Sequence, residues 1–480
     1  MRNLLMSNHP SQTNEPAVKC SYFEEPRLCF AENKEHVDPK IGLARFGPLS
    51  REPLKRHPKS VRVGFVGTSE TVEKAEQWIS INSKGVLGDE KHPDFPGCAS
   101  DRGFRTDLEF DKHWVELITQ TELNGVLSVH KRKERFEKAL SLLDEKLRLL
   151  DRKDFRPEYV VVALPESLTE KAESVDYPEP GLGMVHRDLR RAFKAKAMRY
   201  KIPTQLVDPR TVEFRDPDNP AKIAWNFFTG LYFKAGGTPW GPIGLTPGSC
   251  YMGISFYRGL GTSNPKMFTS LVQAFDEHGE GLVFRGPDFE WNPQQHESRS
   301  PHLKVEDAYK LVEFSLDKYF SEMKQLPARV VVHKTSRWTA GEKAGFREGL
   351  RNKVGRYDLV ALQRQSAVRL IPASKYPALR GTRFTVGDLD YLYTTGFVPE
   401  LGQFHGMHVP APLLIADHVG SDTPRETLIR EILILTKMNW NAARLGGLMP
   451  ITLEFARRVS DIMKEIPPDQ EALPQAKFYN

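Results

Sequence analysis

Segment 186–212, HRDLRRAFKAKAMRYKIPTQLVDPRTV, concentrates residues that handle phosphate groups. Its opening letters, HRD, match the start of a protein-kinase catalytic loop. A kinase also needs an Asn five residues after this Asp to hold a metal ion, a D-F-G triplet further on, and a glycine-rich strand with a Lys upstream. Phe193 stands at the Asn position, and the chain contains no D-F-G triplet. The sequence therefore argues against phosphoryl transfer by this segment.

The same segment also fits a helix that binds phosphate. Arg190 and Lys194 lie one turn apart on one side of such a helix. Leu189, Phe193 and Tyr200 form an apolar stripe about a quarter turn away, which packs inward. A basic helical face of this kind is also common as a solvated surface. On these residues alone, both interpretations stay open.

Residues further along the chain favour the phosphate site over the solvated face. Gln205 follows at the start of a strand, and Lys234 ends the next helix immediately before a pair of glycines. A dianionic phosphate monoester requires several convergent cations and amide donors. Separate elements would therefore have to bring these groups together.

The elements that position these residues alternate between strands and helices. Residues 61–79, VRVGFVGTSETVEKAEQWI, predict a buried strand, a turn, a capping residue and an amphipathic helix. Strands are also predicted at 158–165 and at the TQLVD run, and helices at 131–152 and 219–237. Such alternation indicates a parallel, doubly wound sheet. The Gly- and Pro-rich run GTPWGPIGLTPG predicts a domain boundary near residue 246.

The second half of the chain predicts a different sheet. Strands at 250–257, 266–276 and 281–286 come in succession, and a long helix at 305–324 then precedes a strand at 328–334. Further strand and helix units follow. This order indicates a mixed sheet of the ribonuclease-H type.

The composition argues against a membrane span and a disulfide framework. With 480 residues, of which 39% are hydrophobic, the chain is long enough for several domains with buried cores. Its four cysteines include no C-x-x-C pair, and no apolar run reaches the ~18 residues of a membrane span. We therefore expect a cytoplasmic protein. The net charge of +6 permits a polyanionic partner.

Three further stretches, together with the elements above, resemble the short prokaryotic Argonautes, which consist only of a MID and a PIWI domain. They are YFEEPRLCFAENKEHVDPKIGLARFGPLS at 22–50, LTKMNWN at 435–441 and PITLEFARRV at 450–459. The resemblance implies an α/β fold, with a Rossmann-like MID domain at 56–245 and a ribonuclease-H-like PIWI domain at 246–480. Residues 1–55 would form an N-terminal lead and a segment that contacts a partner.

In this family, convergent side chains grip the 5′-phosphate of a guide strand. The resemblance implies that these are Arg190, Lys194, Gln205 and Lys234. Relatives often have an aromatic ring where Arg190 stands, so His186, one turn earlier, is a candidate for stacking on the first base. Family members also hold a divalent ion with the chain's own terminal carboxylate. By this resemblance, Asn480 would bind Mg²⁺ beside the phosphate.

Cleaving relatives carry a cluster of carboxylates that holds two metal ions across the scissile phosphate. The corresponding positions here are Ser255 in G-I-S, Thr335 after VVVHK and Arg457 after F-A. A hydroxyl is a poor ligand for a hard dication, and an arginine is none. The resemblance therefore implies a PIWI domain that binds without cutting. The alternative is an active nuclease, for which four acids of the second half are candidates: Asp276, Asp288, Asp388 and Asp390.

Similar short Argonautes pair with a second polypeptide that carries an APAZ domain fused to an effector. The resemblance implies a sensor subunit that uses a guide RNA to recognise single-stranded DNA, with base pairing reading the sequence. The expected partner is an APAZ-containing effector in defence against plasmids or phage. An NAD-depleting sirtuin-like or TIR domain is favoured over a nuclease as that effector.

Two further expectations concern contacts and an alternative function. Arg258, Lys334 and Arg337 are candidates for contact with the guide–target duplex. An enzyme that uses a dinucleotide is the alternative from another class, although GFVGTSE contains only part of the G-x-G-x-x-G motif.

Overall fold

The structure is a computed structural model that describes most of the chain. The described residues are 18–52, 55–179, 183–260, 266–274, 281–291, 300–364, 367–402, 404, 408–420, 423–467, 470 and 472–480, with only the backbone of 270–274. Within these ranges, no helix combines the length and apolar character that crossing a membrane requires.

The first described elements form a short N-terminal segment. They are β1 (Lys19–Tyr22), β2 (Leu28–Cys29), β3 (Glu35–His36) and α1 (Pro39–Phe46). Asp38 caps α1 by accepting hydrogen bonds from the backbone N–H groups of Lys40 and Ile41, at 2.8 and 2.9 Å. Phe30 lies so close to Gly42 that a Cβ there would be 2.2 Å from the ring. The glycine thus allows α1 to pack directly on this segment.

The elements of the predicted MID domain follow. They are β4 (Ser60–Gly67), α2 (Ser69–Asn82), β5 (Asp107–Leu117), α3 (Gln120–Leu127), α4 (Arg132–Asp151), β6 (Tyr159–Ala163), α5 (Glu166–Ala172), β7 (Ser174–Glu179), β8 (Gly183–Asp188), α6 (Leu189–Ala197), β9 (Thr204–Val207), α7 (Pro209–Val212) and α8 (Pro220–Lys234). Four strands pair in the order β5-β4-β6-β9, and every pair is parallel. This arrangement confirms the predicted parallel sheet.

Strand β6 shows why its sequence is apolar throughout. Tyr159 and Val161 enter one hydrophobic core, whereas Val160 and Val162 enter the core on the opposite face. All four are fully buried, because helices cover both faces of the sheet. A parallel strand at the centre of such a sheet has no polar side.

Two features of this domain were not expected from the sequence. Strand β5 forms one edge of the sheet. The sequence did not predict this eleven-residue strand, because it contains many polar residues and no continuous apolar run. A hairpin, β7 with β8, precedes α6, and it contains His186 in register with Asp176. Helix α6 therefore begins at Leu189, where Asp188 accepts a hydrogen bond from the backbone N–H of Arg191.

The remaining elements include the strands of the predicted PIWI domain. They are β10 (Gly241–Pro242), β11 (Ser249–Tyr257), β12 (Lys266–Ala274), β13 (Leu282–Glu290), α9 (Val305–Met323), β14 (Arg329–Lys334), α10 (Ala340–Leu350), β15 (Arg356–Arg364), β16 (Thr382–Val386), β17 (Leu389–Leu392), β18 (Leu413–Gly420), α11 (Arg425–Leu435) and α12 (Ile451–Met463). Nine strands pair in the order β1-β16-β17-β18-β15-β14-β11-β12-β13. Strands β14 and β15 run parallel to β11, and the other pairs are antiparallel. The mixed sheet confirms the ribonuclease-H-like expectation.

Helix α12 crosses the centre of the nine-stranded sheet at very close range. A Cβ on Gly253 of β11 would lie 2.0 Å from the carbonyl oxygen of Thr452 in the first turn of α12. The ring of His333, on the neighbouring strand, hydrogen-bonds the Thr452 hydroxyl at 2.8 Å. Burial lowers the pKa of His333 to about 3, so this imidazole is neutral. These contacts hold the beginning of α12 in place over the sheet.

The N-terminal segment is joined to the large sheet by a strand and by buried charges. Strand β1 pairs with β16 at the sheet edge, and Glu25 accepts hydrogen bonds from Arg380 and Lys437. All three side chains are more than 90% buried. Burial lowers the pKa of Lys437 to about 8, although Glu25 opposes the shift. The segment is therefore an integral part of the second half.

Candidate phosphate-binding pocket

Helix α6 carries two of the predicted phosphate ligands. Leu189 and Phe193 are fully buried and fix the helix against its neighbours, which leaves Arg190 and Lys194 one turn apart on another face. Lys194 is only 5% exposed, whereas Arg190 is exposed, so this basic face is buried at Lys194 and open to solvent at Arg190. Its position in the last turn of α6 is favourable because a helix C-terminus stabilises cations.

Two further predicted ligands come from β9 and α8. Lys234, the last residue of α8, is 1% exposed. Its Nζ donates hydrogen bonds to the side-chain oxygen of Gln205, at 2.5 Å, and to the carbonyl oxygen of Thr204, at 3.3 Å. Gly236 follows with a φ of +96°, a backbone conformation that favours glycine and turns the chain away. The helix end and the strand start thus meet at Lys234.

Lys194 and Lys234 are both buried in this cluster. Burial, then the positive charges of Lys234, Arg190 and Arg458, hold the pKa of Lys194 well below its ordinary value. Burial and the charge of Arg190 also lower the pKa of Lys234. Neither lysine forms an ion pair with a carboxylate among the described residues. The protein therefore holds a concentration of positive charge that its own acids do not neutralise.

A cavity of about 370 Å³ opens beside this cluster. Arg190 and Lys194 line it from α6, Arg458 from α12, and Asn480 from the end of the chain. A second cavity, of about 240 Å³, is lined by Arg190, Gln205 and Asn441 among others. Arg190 and Asn441 line both cavities, so the two are adjacent. Arg190, Lys194 and Gln205 thus line two adjacent cavities, and Lys234, which lines neither, is joined to them through its hydrogen bond to Gln205.

Arg458 is a cation at this site that the sequence interpretation missed. Its Nη2 donates to Glu454 at 2.7 Å, while its Nη1 is buried and has no hydrogen-bond partner among the described residues. The sequence contains a pair of arginines in EFARR, and the resemblance aligns the first of them, Arg457, with a degenerate catalytic position. Arg457 is exposed, and it is Arg458 that faces the pocket.

Ion pairs connect α6 with α12 across this pocket. Arg187, just before α6, donates to Glu465 at 2.8 Å and also contacts Glu137. Arg191 pairs with Asp461 of α12 at 3.1 Å. The helix that supplies Arg190 and Lys194 is therefore tied to the helix that supplies Arg458. The pocket lies at the junction of the two sheets.

The two remaining predicted residues have different surroundings. His186 is exposed on the hairpin, bonds to Asp176 at 2.8 Å and lines neither cavity. Asn480 is 8% exposed and lines the larger cavity. Tyr479 anchors this end of the chain by donating a hydrogen bond to the carbonyl oxygen of Leu473 at 2.9 Å. The structure thus places Asn480, but not His186, at the pocket.

The described side chains of the pocket do not provide a set of ligands for the expected Mg²⁺. No group of three or more His, Cys, Asp or Glu side chains suited to a metal occurs within the described ranges. The two acids that line the larger cavity have other partners, since Asp188 caps α6 and Asp461 pairs with Arg191. The cations of the pocket also repel a metal ion. The described residues therefore fit an anion, and they do not by themselves fit a divalent cation.

The three predicted degenerate positions lie on β11, after β14 and within α12. Ser255 on β11 and Thr335 after β14 each lie two residues beyond the paired residues Gly253 and His333. They therefore stand at the same edge of the sheet. Ser255 is half-buried, whereas Thr335 and Arg457 are exposed. Their assignment as degenerate catalytic positions stays a prediction.

The alternative acids are spread over the sheet and mostly neutralised. Asp288 pairs with Lys266 at 2.7 Å, and Asp390 pairs with Arg383 at 2.9 Å. Asp388 is exposed between β16 and β17, and Asp276 lies outside the described residues. A candidate that we did not consider is Asp417, which lies next to this edge and binds Lys343 at 2.9 Å.

One expectation about duplex contacts was wrong. Lys334 is 2% exposed, and its Nζ donates to both carboxylate oxygens of Glu342 at 2.6 Å. Lys334, with the other partners of Glu342, keeps the Glu342 carboxylate ionised despite its burial, with a pKa of about 2. Lys334 therefore stabilises the second domain and is not available to a duplex.

Solved structures with the same architecture are Argonautes. The sequence itself matches no protein-family profile and no curated protein. The structure of Clostridium butyricum Argonaute bound to a guide DNA and a 19-mer target DNA covers 96% of this chain with a TM-score of 0.65 and 14% sequence identity. The chain has an Argonaute-like fold. It spans about half of that solved chain, 55% of its length.

Two further Argonaute structures agree with this match. The A. aeolicus Argonaute structure covers 96% of this chain, at a TM-score of 0.57 and 17% identity, over 55% of its own length. The structure of Aa-Ago with externally bound siRNA covers 94%, at a TM-score of 0.55 and 16% identity, over 54% of its own length. The two sheets described above are accordingly MID-like and PIWI-like.

Proposed function

We propose that this protein binds a guide strand through its 5′-phosphate and uses the guide to recognise a complementary strand. The observation that carries the proposal is the pair of buried lysines, Lys194 and Lys234, with the exposed Arg190 beside them; none of the three forms an ion pair with a carboxylate in the described part of the chain. Buried charge without a partner is costly, and an anionic ligand that binds only the folded state offsets that cost. A terminal phosphate monoester supplies two negative charges and several acceptor oxygens.

The path of the guide backbone is supported by a basic cleft that continues from the pocket. A cleft of about 640 Å³ shares Asn226 with the smaller cavity. Five Lys and Arg residues line it: Lys40, Lys91, Lys222, Arg444 and Arg380, of which Arg380 is paired with Glu25. Asp38 is the acidic residue among its described lining residues, and it is occupied as the cap of α1. Such a groove suits a phosphodiester backbone and makes binding depend on salt.

We propose that the guide is RNA, that the target is single-stranded DNA, and that the protein does not cut it. The motif resemblance aligns Ser255 and Thr335 with positions at which a two-metal nuclease needs carboxylates, and hydroxyl groups are poor ligands for Mg²⁺. A separate question is the Mg²⁺ expected at the phosphate pocket. Because the described side chains there offer no metal-ligand set, phosphate oxygens of the guide would have to supply part of its coordination, and we expect it beside Asn480.

The output of recognition is proposed to lie in a partner protein. The resemblance to short Argonautes supports an APAZ-containing effector, with a sirtuin-like or TIR domain that depletes NAD in prokaryotic defence. The test is to purify the protein with the product of the neighbouring gene and to follow NAD after adding guide RNA and target DNA. NAD loss that requires both strands supports this proposal, and NAD loss without them contradicts it.

The central experiment compares two RNAs of one sequence, one with a 5′-phosphate and one with a 5′-hydroxyl. We expect tighter binding of the phosphorylated RNA, and equal binding after Lys234→Ala. Lys196, exposed on the same basic helix as Lys194, is the matched control, and Lys196→Ala should keep the preference. Incubating the same complex with target DNA and Mg²⁺ or Mn²⁺ should give no cleavage products. Equal binding of both RNAs by the unaltered protein would refute the pocket, and cleavage would establish the nuclease alternative.

A further inference from the structure

A cavity of about 190 Å³ lies beyond the end of α8 and shares no lining residue with the phosphate pocket or the basic cleft. Its walls include the glycine turn after α8, the beginning of β13 and residues 475–477 near the end of the chain. The last two parts are joined by backbone hydrogen bonds, from Val283 to Pro474 at 2.7 Å and from Ala476 to Gly281 at 3.3 Å. The cavity is therefore built from ordered backbone.

Aromatic side chains form part of the cavity wall. Trp440 and Phe233 both line it, with their ring centroids 5.1 Å apart. Pockets for complete small-molecule ligands usually measure roughly 300–1,000 Å³, so this cavity is small for a whole cofactor. Its size and lining suit one planar, ring-sized group of a larger molecule.

Two cations line the same cavity, Arg56 and Lys477. Among the described residues, neither has a carboxylate within ion-pair distance. The charge of Glu158 attracts Lys477, but Glu158 is paired with Arg62 at 3.5 Å. The C-terminal end of α8 stabilises nearby cations, which explains how both are held without a carboxylate. A molecule that places a ring in the cavity should therefore also carry negative charge.

Positive charge continues from the cavity over the adjoining surface. A Cβ built on Gly47 would lie 3.4 Å from Nη1 of Arg51 and 3.7 Å from Nε of Arg105, so these two guanidinium groups are close neighbours. Burial, and then the positive charge of Arg51, lower the pKa of His57, which follows the first cavity residue in the chain. The acid of this surface, Glu52, accepts hydrogen bonds from the backbone N–H groups at positions 32 and 33. The basic surface is thus longer than the cavity itself.

We propose that this cavity and the cations around it form a second site for single-stranded nucleic acid, separate from the 5′-phosphate pocket. One base enters the cavity beside Trp440 and Phe233. The phosphodiester groups on either side of that base lie against Arg56 and Lys477. The site needs no terminal phosphate, and it does not rest on the function proposed above.

This class of ligand matches all the features of the site. Each nucleotide combines a planar ring with a phosphodiester charge, and consecutive phosphates suit a row of cations longer than one cavity. Aromatic side chains contact the face of any base, so we expect little sequence preference. An acidic peptide with one aromatic residue would need further acidic residues along its whole length to match the same surface.

Fluorescence anisotropy tests the proposal with a labelled oligo(dT) that has a 5′-hydroxyl end and no complementarity to the guide. The protein is first saturated with a 5′-phosphorylated guide RNA. We expect the oligo(dT) to bind, and to bind roughly 10-fold more weakly when Arg56→Gln and Lys477→Gln are combined, because charge-assisted contacts to phosphates are lost. An abasic strand of the same length and charge should bind the unaltered protein roughly 10-fold more weakly, because it lacks the base.

Two double variants serve as controls. Lys310→Gln with Arg347→Gln removes the same charge from exposed positions on α9 and α10. Lys222→Ala with Arg444→Ala removes charge from the basic cleft. Both should leave oligo(dT) binding unchanged, and an equal loss in either would overturn the site. Equal affinity for the abasic strand would overturn the base cavity, and that comparison uses the unaltered protein. Tighter binding of polyglutamate than of oligo(dT) would assign the surface to an acidic polypeptide instead.

The strand at this site is either a separate molecule or the unpaired flank of a target held by the guide. Targets with and without an unpaired extension distinguish the two sources on the guide-loaded protein. A gain in affinity from the extension that Arg56→Gln with Lys477→Gln removes would identify the flank, whereas oligo(dT) binding without such a gain would identify a separate strand. Absence of both would overturn the proposal. Repeating the oligo(dT) titration without guide RNA keeps the decision independent of guide binding.

Discussion

Replacing Lys194 by Met should stabilise the protein without ligand and should lower its affinity for 5′-phosphorylated RNA. Lys194 is 5% exposed, and in the described structure its amine interacts with other cationic side chains and with no carboxylate. Methionine has a similar unbranched length and fills the same space without a polar group. The variant keeps the packing of α6 and removes the electrostatic cost.

The size of the effect follows from removing a buried positive charge that has no carboxylate partner. Replacing a buried charged cluster by an apolar group of similar volume has stabilised other proteins by about 1–4 kcal/mol. We therefore expect an increase of about 1–4 kcal/mol in the free energy of unfolding. The phosphorylated RNA should lose one charge-assisted hydrogen bond, about 1.5–3 kcal/mol, or roughly 10- to 100-fold in affinity.

The stability gain should depend on pH with a defined sign. The folded pKa of Lys194 lies below its ordinary value of 10.5, so between these two pH values the unfolded chain binds more protons. The stability of the unaltered protein therefore rises with pH across this window. The advantage of Lys194→Met should be largest below the folded pKa and should shrink as pH approaches 10.5.

Thermal unfolding of the empty protein at several pH values is the assay. Lys196→Met is the control, because an exposed substitution is expected to change stability by less than about 0.5 kcal/mol. A melting temperature for Lys194→Met that is lower than that of the unaltered protein at neutral pH would refute the reasoning. It would show that Lys194 is stabilised by an interaction that the described residues do not contain.

Three other predictions address the pocket, the N-terminal segment and the cleft. Arg458→Gln should weaken binding of the phosphorylated RNA by roughly 10-fold or more, since a charge-assisted hydrogen bond is lost, whereas Arg457→Gln should not; equal effects in RNA-binding titrations would contradict the role of Arg458. Glu25→Gln should destabilise the protein by about 3–5 kcal/mol in denaturant unfolding, because two buried cations lose their carboxylate; a change below ~1 kcal/mol would argue against this network. Replacing Lys222 and Arg444 by Ala should reduce the slope of log affinity against log salt by up to about 0.7 per lost phosphate contact on single-stranded RNA, and an unchanged slope would place the backbone elsewhere.

Local patterns predicted the elements and much of the site. The apolar run of β6 and the capped helix α2 indicated a parallel sheet. Such signals are readable from the sequence because hydrophobic periodicity and capping residues involve only residues close together along the chain. Arg190 and Lys194 were paired by helical spacing alone. The domain boundaries and the roles of the ligands stay predictions. Strand β5 escaped notice, because an edge strand with one solvated face carries no continuous apolar run.

The sequence by itself determined which side chains were available and which elements would carry them. Only the tertiary structure decided that Lys194 is buried against Lys234, that Arg458 rather than Arg457 faces the pocket, and that Lys334 is consumed by Glu342. The physical reason is that burial and charge pairing depend on how distant elements pack. The sequence shows that a lysine is present, but it does not show whether the amine is surrounded by water, by a carboxylate or by other cations.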